Sequence, residues 1–171
     1  MRCQFFRFCV PTPLGRLWLV LDGEEGIHQA FWDGQQDEAE RHWRRWYGSS
    51  PRPRETRGAN GVAAKLVAYF AGHVRALDTL TVRARGTPFQ QKIWRLLRSV
   101  PAGSPVSYAT IARNAGLPGA SRAVGQAVGA NPVTLIVPCH RLVASSGALG
   151  GYAGGVHRKR WLLDHEANFS R

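Results

Sequence analysis

Cysteine is scarce: the 171 residues contain three, Cys3, Cys9 and Cys139, and no CxxC pair. That number builds neither a disulfide framework nor a zinc-finger cage. Long apolar runs are missing too. No stretch approaches the roughly 18 residues needed to cross a bilayer, which excludes membrane insertion. Met1 to Val10 carries Arg2 and Arg7 but no following apolar run with a small-residue cleavage site, so no secretory signal is read and a cytoplasmic protein is expected. A disordered chain is excluded by 44% hydrophobic residues against 20% charged. Acidic residues are the most unevenly missing. Residues 1–85 hold 13 basic and 9 acidic side chains, whereas residues 86–171 hold 10 basic and only 2 acidic, Asp164 and Glu166. A field of one sign attracts polyanions, nucleic acid first. The alternative is a basic surface without a partner in an Arg-rich chain, since 20 of the 23 basic residues are Arg.

The composition shift suggests two domains, 1–85 and 86–171. In the first, Gln4 to Val10, Arg16 to Leu21 and Ile27 to Trp32 are β-rich runs separated by turn residues at 11–15 and 22–26, the pattern of an antiparallel meander. Gln36 to Trp46 and Gly61 to Phe70 read as helices, and Ser49 to Gly58, with Pro51 and Pro53, as the loop between them. The second domain is helical. Thr87-Pro88-Phe89-Gln90 supplies a cap hydroxyl, a proline at the first helical position and a capping-box Gln, so a helix should run from there to about Val100. Ser107 caps a second helix with Tyr108, Ile111, Ala112 and Ala115 on one face. Gly116-Leu117-Pro118-Gly119 ends it, and a third helix runs from about Ala120 to Val128. Two short helices across a Gly-containing turn form a helix-turn-helix, although plain core packing gives similar pairs.

The third helix places Arg122, Gly125, Gln126 and Gly129 on one face with little bulk beyond Arg122. Such a face suits tight helix packing or a nucleic-acid groove, and the unpaired Arg in an acid-poor region favours the groove. The apolar run before Pro138-Cys139 predicts a buried, strand-like segment, with Pro138 fixing the chain just ahead of the thiol. A free Cys is often an inert small hydrophobe; a reactive one needs a nearby cation or base, and His140 and Arg141 are adjacent.

Pro138-Cys139-His140-Arg141, with Asn131-Pro132 and Ile136-Val137 before it and Ser146-Gly147 and Gly151-Tyr152-Ala153-Gly154-Gly155 after it, resembles the active-site signature of the O6-alkylguanine-DNA alkyltransferases. Similarity runs from Gly86-Thr87-Pro88-Phe89-Gln90 and Trp94 through Ser107-Tyr108 and Arg122-Ala123-Val124-Gly125 to Lys159-Arg160-Trp161-Leu162-Leu163 and His165-Glu166. The first half matches at Thr12-Pro13-Leu14-Gly15 and Tyr69-Phe70-Ala71-Gly72.

The resemblance implies an α/β (α+β) chain: a small ribonuclease-H-like antiparallel sheet with helices, then a winged helix-turn-helix-like domain. It also implies transfer of an alkyl group from O6-alkylguanine, with O4-alkylthymine as a further substrate, to Cys139 by a monomer acting once on duplex DNA without a cofactor. His140 and Glu166 are implied to activate the thiol. A direct Cys139–His140 hydrogen bond is not expected, since neighbours in an extended chain point apart, and a bridging water is. The resemblance further implies that Tyr108 donates toward guanine N3, with first-turn core packing the alternative, that Asn131 is the hinge before the Cys loop, with simple helix termination the alternative, and that Arg122 fills the stack when the base is flipped out. By the same resemblance Ser121, Arg122, Ala123, Gly125 and Gln126 are expected to face DNA, and Tyr108, Thr134, Val137, Leu142, Tyr152, Ala153 and Gly154 to form the substrate pocket. Arg158, Lys159 and Arg160 in the first turn of the last helix oppose its macrodipole, so they are expected to add to the attraction for DNA.

Some relatives have Ser where Ala153 stands and proline at Thr134. Others hold a structural zinc, of whose ligand positions only Cys3 and His28 are matched here, so no metal is expected. Two other classes remain open from sequence: a DNA-binding module without chemistry, against which Cys139 argues, and a thiol hydrolase using Cys139, His140 and Glu166.

Overall fold

The computed structural model describes residues 4–50, 52–57 and 60–170. Met1, Arg2, Cys3, Pro51 and Gly58, used above, lie outside them. The chain divides into two compact units, residues 1–85 with 132–136 and residues 86–131 with 137–171. The sequence reading drew one line between residues 85 and 86; the units part there as well but assign 132–136 to the first.

In the first unit, β1 (Phe5–Thr12), β2 (Gly15–Asp22) and β3 (Ile27–Trp32) form the expected antiparallel meander. The β1–β2 turn is two residues long; Gly15 enters β2 at φ 103°, and the Thr12 hydroxyl donates to the Gly15 carbonyl at 2.6 Å. Alternation buries Leu17, Leu19 and Leu21 on one face of β2. On the other face Phe5, Val20 and Phe31 receive Trp43 of helix α1 (Gln36–Tyr47). A two-residue strand β4 (Arg54–Glu55) pairs parallel with β1, giving the order β3-β2-β1-β4 inside the stretch read as loop. Helix α2 (Asn60–Phe70) buries Val62, Leu66 and Tyr69. His28, half of the incomplete metal set, has its ring nitrogens on Tyr47 Oη at 2.8 Å and Asp22 Oδ2 at 3.0 Å. Burial pushes Asp22 upward, but hydrogen bonds from His28, the Gly26 and Glu24 amides and Arg83 hold it at about 2.

The strand-like segment expected before Cys139 is instead a buried turn. Only Val133 bridges to β3, at Ala30, where Ala30 N donates to Pro132 O and Thr134 N to Ala30 O, both at 2.9 Å. Leu135 then adopts φ 70°, a left-handed conformation that breaks any extended run. Pro132 and Pro138 lack the amide donors that a ladder needs at either end.

The second unit follows the helical expectation. Thr87 and Gln90 form the complete capping box of α3 (Pro88–Arg98), which buries Ile93, Trp94 and Leu97. Ser107 caps α4 (Tyr108–Asn114), and Gly116 and Gly119, at φ 75° and 89°, turn the chain into α5 (Ser121–Gly129). Trp94 Nε1 donates to Ala127 O at 2.8 Å and locks α5 to α3. A short parallel pair, β5 (Val106–Ser107) and β6 (Leu142–Val143), precedes the last helix α6 (Val156–Phe169). Among the described residues no helix is long and apolar enough to cross a membrane.

Candidate active site

Cys139 opens a single 3-10 turn, Cys139–Arg141, immediately after Pro138. The chain is therefore not extended here, and the divergence of Cys139 from His140 has another cause: three residues per turn swing successive side chains apart by about 120°. Cys139 stays partly exposed, while His140 and Arg141 turn inward. Asn131, two residues past the end of α5, donates through Nδ2 to Val137 O at 3.0 Å and to Cys139 Sγ at 3.3 Å. One amide thus fixes the turn and touches the sulfur.

Behind the thiol lies a closed polar cluster. Glu166 of α6 is fully buried and accepts from His140 Nε2 at 2.8 Å and from Arg141 Nε and Nη2, each at 2.9 Å. The Gly103 amide adds a longer contact at 3.4 Å, and Arg141 Nη1 donates to Val100 O at 2.6 Å. Burial works against the Glu166 charge, but His140 and Arg141 outweigh it and hold the carboxyl below its ordinary range. For His140 burial dominates: despite Glu166 the imidazole is pushed below its usual value, with Arg141 and Lys159 adding to the push. His140 Nδ1 is buried and has no hydrogen-bond partner among the described residues.

An open cavity of about 560 Å³ lies on the α4–α5 side. Tyr108, Ser121, Arg122, Gly125 and Gln126 line it, five of the expected positions, together with Ala109 and Ser145, which the sequence reading missed. Arg122 is exposed and makes no hydrogen bond or ion pair among the described residues. A Cβ on Gly125 would stand 4.0 Å from the Tyr108 ring, and one on Gly150 4.0 Å from its hydroxyl, so small residues flank this phenol on two sides. Burial, and then the nearby Cys139, raise the Tyr108 phenol above its usual value.

Other expected positions are not on the cavity wall. Ala123 is half-buried on α5 beside it; Val137 and Leu142 are core residues at 1% and 0% exposure. Thr134 is buried in the first unit's turn. Tyr152, Ala153 and Gly154 sit in the glycine-rich loop, where Arg158 donates to Gly154 O at 2.7 Å. Lys159 corrects the reading of the α6 cations: it is fully buried, not part of a solvated row. Its ammonium donates to the carbonyls of Leu149 and Gly151, tying that loop to α6. Its spacing from Leu162 and Glu166, at i, i+3 and i+7, was the available signal that it shares their inward face.

Residues 88–168 match the family model described as the DNA-binding domain of 6-O-methylguanine DNA methyltransferase. A methylated-DNA–protein-cysteine methyltransferase of Salmonella typhimurium is 43% identical over 158 residues, 92% of each chain. One of Mycobacterium tuberculosis is 40% identical over 92% of this chain and 89% of its own. The crystal structure of the M. tuberculosis O6-methylguanine methyltransferase superposes with a TM-score of 0.79 at 33% identity, covering 98% of this chain and 96% of that one. A complex of the M. tuberculosis protein with DNA gives 0.79 at 36% identity, covering 96% and 93%. Identity at this level over nearly the whole chain is enough to conclude that the protein belongs to the methylated-DNA–protein-cysteine methyltransferase family.

Proposed function

We propose that this protein repairs O6-alkylguanine in duplex DNA by moving the alkyl group to its own Cys139, once per molecule. The observation that carries the reading is the position of the thiol: it sits on a proline-fixed turn, touched by Asn131 and backed by the His140–Glu166–Arg141 cluster. The thiol proton passes to His140 Nδ1 through one water, and the thiolate attacks the alkyl carbon. The carbon–O6 bond breaks and guanine leaves with the electron pair, its N3 taking a proton from Tyr108. Arg122, free on the α5 face, replaces the extruded base in the stack, at an unstacking cost of roughly a few kcal/mol. The loop holding Tyr152, Ala153 and Gly154 closes over the base, with O4-alkylthymine as a second substrate. The protein works in the cytoplasm as a monomer, with DNA as its partner.

The thioether product has no good leaving group, and neither His140 nor Glu166 supplies chemistry that restores the thiol. With excess duplex carrying a labelled O6-methyl group, product should stop at one equivalent per active protein, with the label on Cys139. Continued turnover with unmodified Cys139 recovered afterwards refutes the reading and favours a hydrolase.

A further inference from the structure

The buried centre of the second unit holds one carboxylate and several groups that can be positive. Arg141 takes both oxygens of Glu166, Nε to Oε2 and Nη2 to Oε1, each at 2.9 Å, and its third donor is fixed on Val100 O at 2.6 Å. A guanidinium does not lose its proton in a protein, so this pair is already neutral. His140 meets the same carboxylate through Nε2 at 2.8 Å. An ionised carboxylate only accepts, so the shared proton sits on Nε2, and in the neutral ring the lone pair is on Nδ1, which has no hydrogen-bond partner among the described residues. Lys159 on α6 is a second buried cation that acts on His140, and Cys139 is its neighbour on the turn. A further proton on the imidazole therefore adds net positive charge in a place closed to solvent.

We infer that Arg141 is a positioning residue for the thiol-activating relay: by engaging both oxygens of Glu166 it compensates that charge in advance and keeps His140 at rest as the neutral Nε2–H tautomer, with Nδ1 free to take the proton of Cys139. Glu166 then stabilises the imidazolium only once it forms, during transfer, which is when stabilisation accelerates the reaction. Without Arg141 the whole carboxylate charge falls on His140, which becomes protonated at rest and has no basic nitrogen left. The inference rests on His140 acting as the base for Cys139.

The test reads the imidazole directly. In the full chain labelled with 15N-histidine, long-range proton–nitrogen spectra between pH 5 and 9 distinguish tautomer and charge, and comparison with His140→Asn assigns the signal. The intact protein should show neutral His140 with the proton on Nε2 at pH 7. In Arg141→Gln the protonation midpoint should rise by about 1 to 3 pH units, the usual effect of an uncompensated neighbouring charge. In Arg141→Lys, which keeps a cation and tests the point if the Gln variant does not fold, His140 should remain neutral. A cationic or Nδ1–H imidazole in the intact protein at pH 7, an unmoved midpoint in Arg141→Gln, or a protonated His140 in Arg141→Lys overturns the inference. Failure of label transfer by the intact protein would instead defeat the proposed function, so the two are told apart.

Discussion

Asn131→Ala offers a sharp test of how the thiol is prepared. Asn131 Nδ2 lies 3.3 Å from Cys139 Sγ and 3.0 Å from Val137 O, so one truncation removes two contacts whose consequences separate. A hydrogen bond to a charged group contributes about 1.5 to 3 kcal/mol, and here the charged group is the thiolate. Its loss favours the thiol form, and at about 1.36 kcal/mol per decade the thiolate fraction at neutral pH should fall about 10- to 160-fold. The Val137 carbonyl keeps its bond from the Cys139 amide at 2.8 Å, so loss of the second donor should cost only about 0.5 to 1.5 kcal/mol of stability. The assay is the rate of Cys139 alkylation by iodoacetamide from pH 5 to 10, read by peptide mass so that Cys9 does not interfere, beside a thermal melt. Asn131→Asp should be slower still, because a carboxylate cannot donate and repels the thiolate. A lower Tm with an unchanged pH–reactivity curve would refute the reasoning and leave Asn131 only as the clamp on the turn.

Cys139→Ser should abolish alkyl transfer while duplex binding, measured by anisotropy, stays within about twofold, since the role proposed for the sulfur is nucleophilic; joint loss would indicate a folding role for the turn. Arg122→Ala should slow repair of duplex DNA by at least about tenfold while leaving reaction with free O6-alkylguanine base unchanged, because only the duplex requires extrusion; equal losses count against the finger. Glu166→Gln leaves Arg141 a buried, uncompensated cation and should cost about 3 to 5 kcal/mol at pH 7, a drop in Tm of roughly 6 to 20 °C. The folded-state ionisation of Glu166 is depressed, so its contribution is fully present above the unfolded value near about 4.3 and is lost as pH falls through the folded one. The Tm gap between the two proteins should therefore narrow below about pH 4, and a gap independent of pH defeats the argument.

What the sequence made legible were the features decided by neighbours along the chain. The Thr87–Gln90 capping box closes within four residues, and the meander is visible because β2 alternates against its turns. Strand β4 was not legible, since Arg54 and Glu55 are both exposed and only their pairing with β1 defines them. Residues 132–138 misled because apolar character reports burial, not conformation: they are buried as expected, but in a turn through Leu135 at φ 70°. In the site, the family resemblance pointed to Cys139, His140 and Glu166, and the structure brings His140 and Glu166 together at 2.8 Å behind the turn that Cys139 opens. Arg141 was read as a cation beside the thiol and Lys159 as one of three solvated cations, and the burial of both was missed because the carboxylate or carbonyls that allow it lie elsewhere in the sequence.

The uneven charge of the second half now divides into two parts that salt should separate. Of its two acids, Glu166 is buried with Arg141, whereas Asp164 is exposed, as are the basic residues Lys92, Arg95, Arg113, Arg122 and Arg160. On the proposed function, the exposed set is the part that would attract DNA. Ions screen exposed charges over about 10 Å at 0.1 M, and each phosphate contact contributes about −0.9 to the slope of log affinity against log salt. The inner set, closed to solvent and paired at 2.9 Å, is screened far less. Between 50 and 300 mM NaCl, transfer from the free alkylated base should therefore change by less than about twofold, while transfer from subsaturating duplex falls by orders of magnitude. Parallel decline on both substrates would mean that the thiol's ionisation depends on exposed charge, and the buried cluster would lose its assigned role.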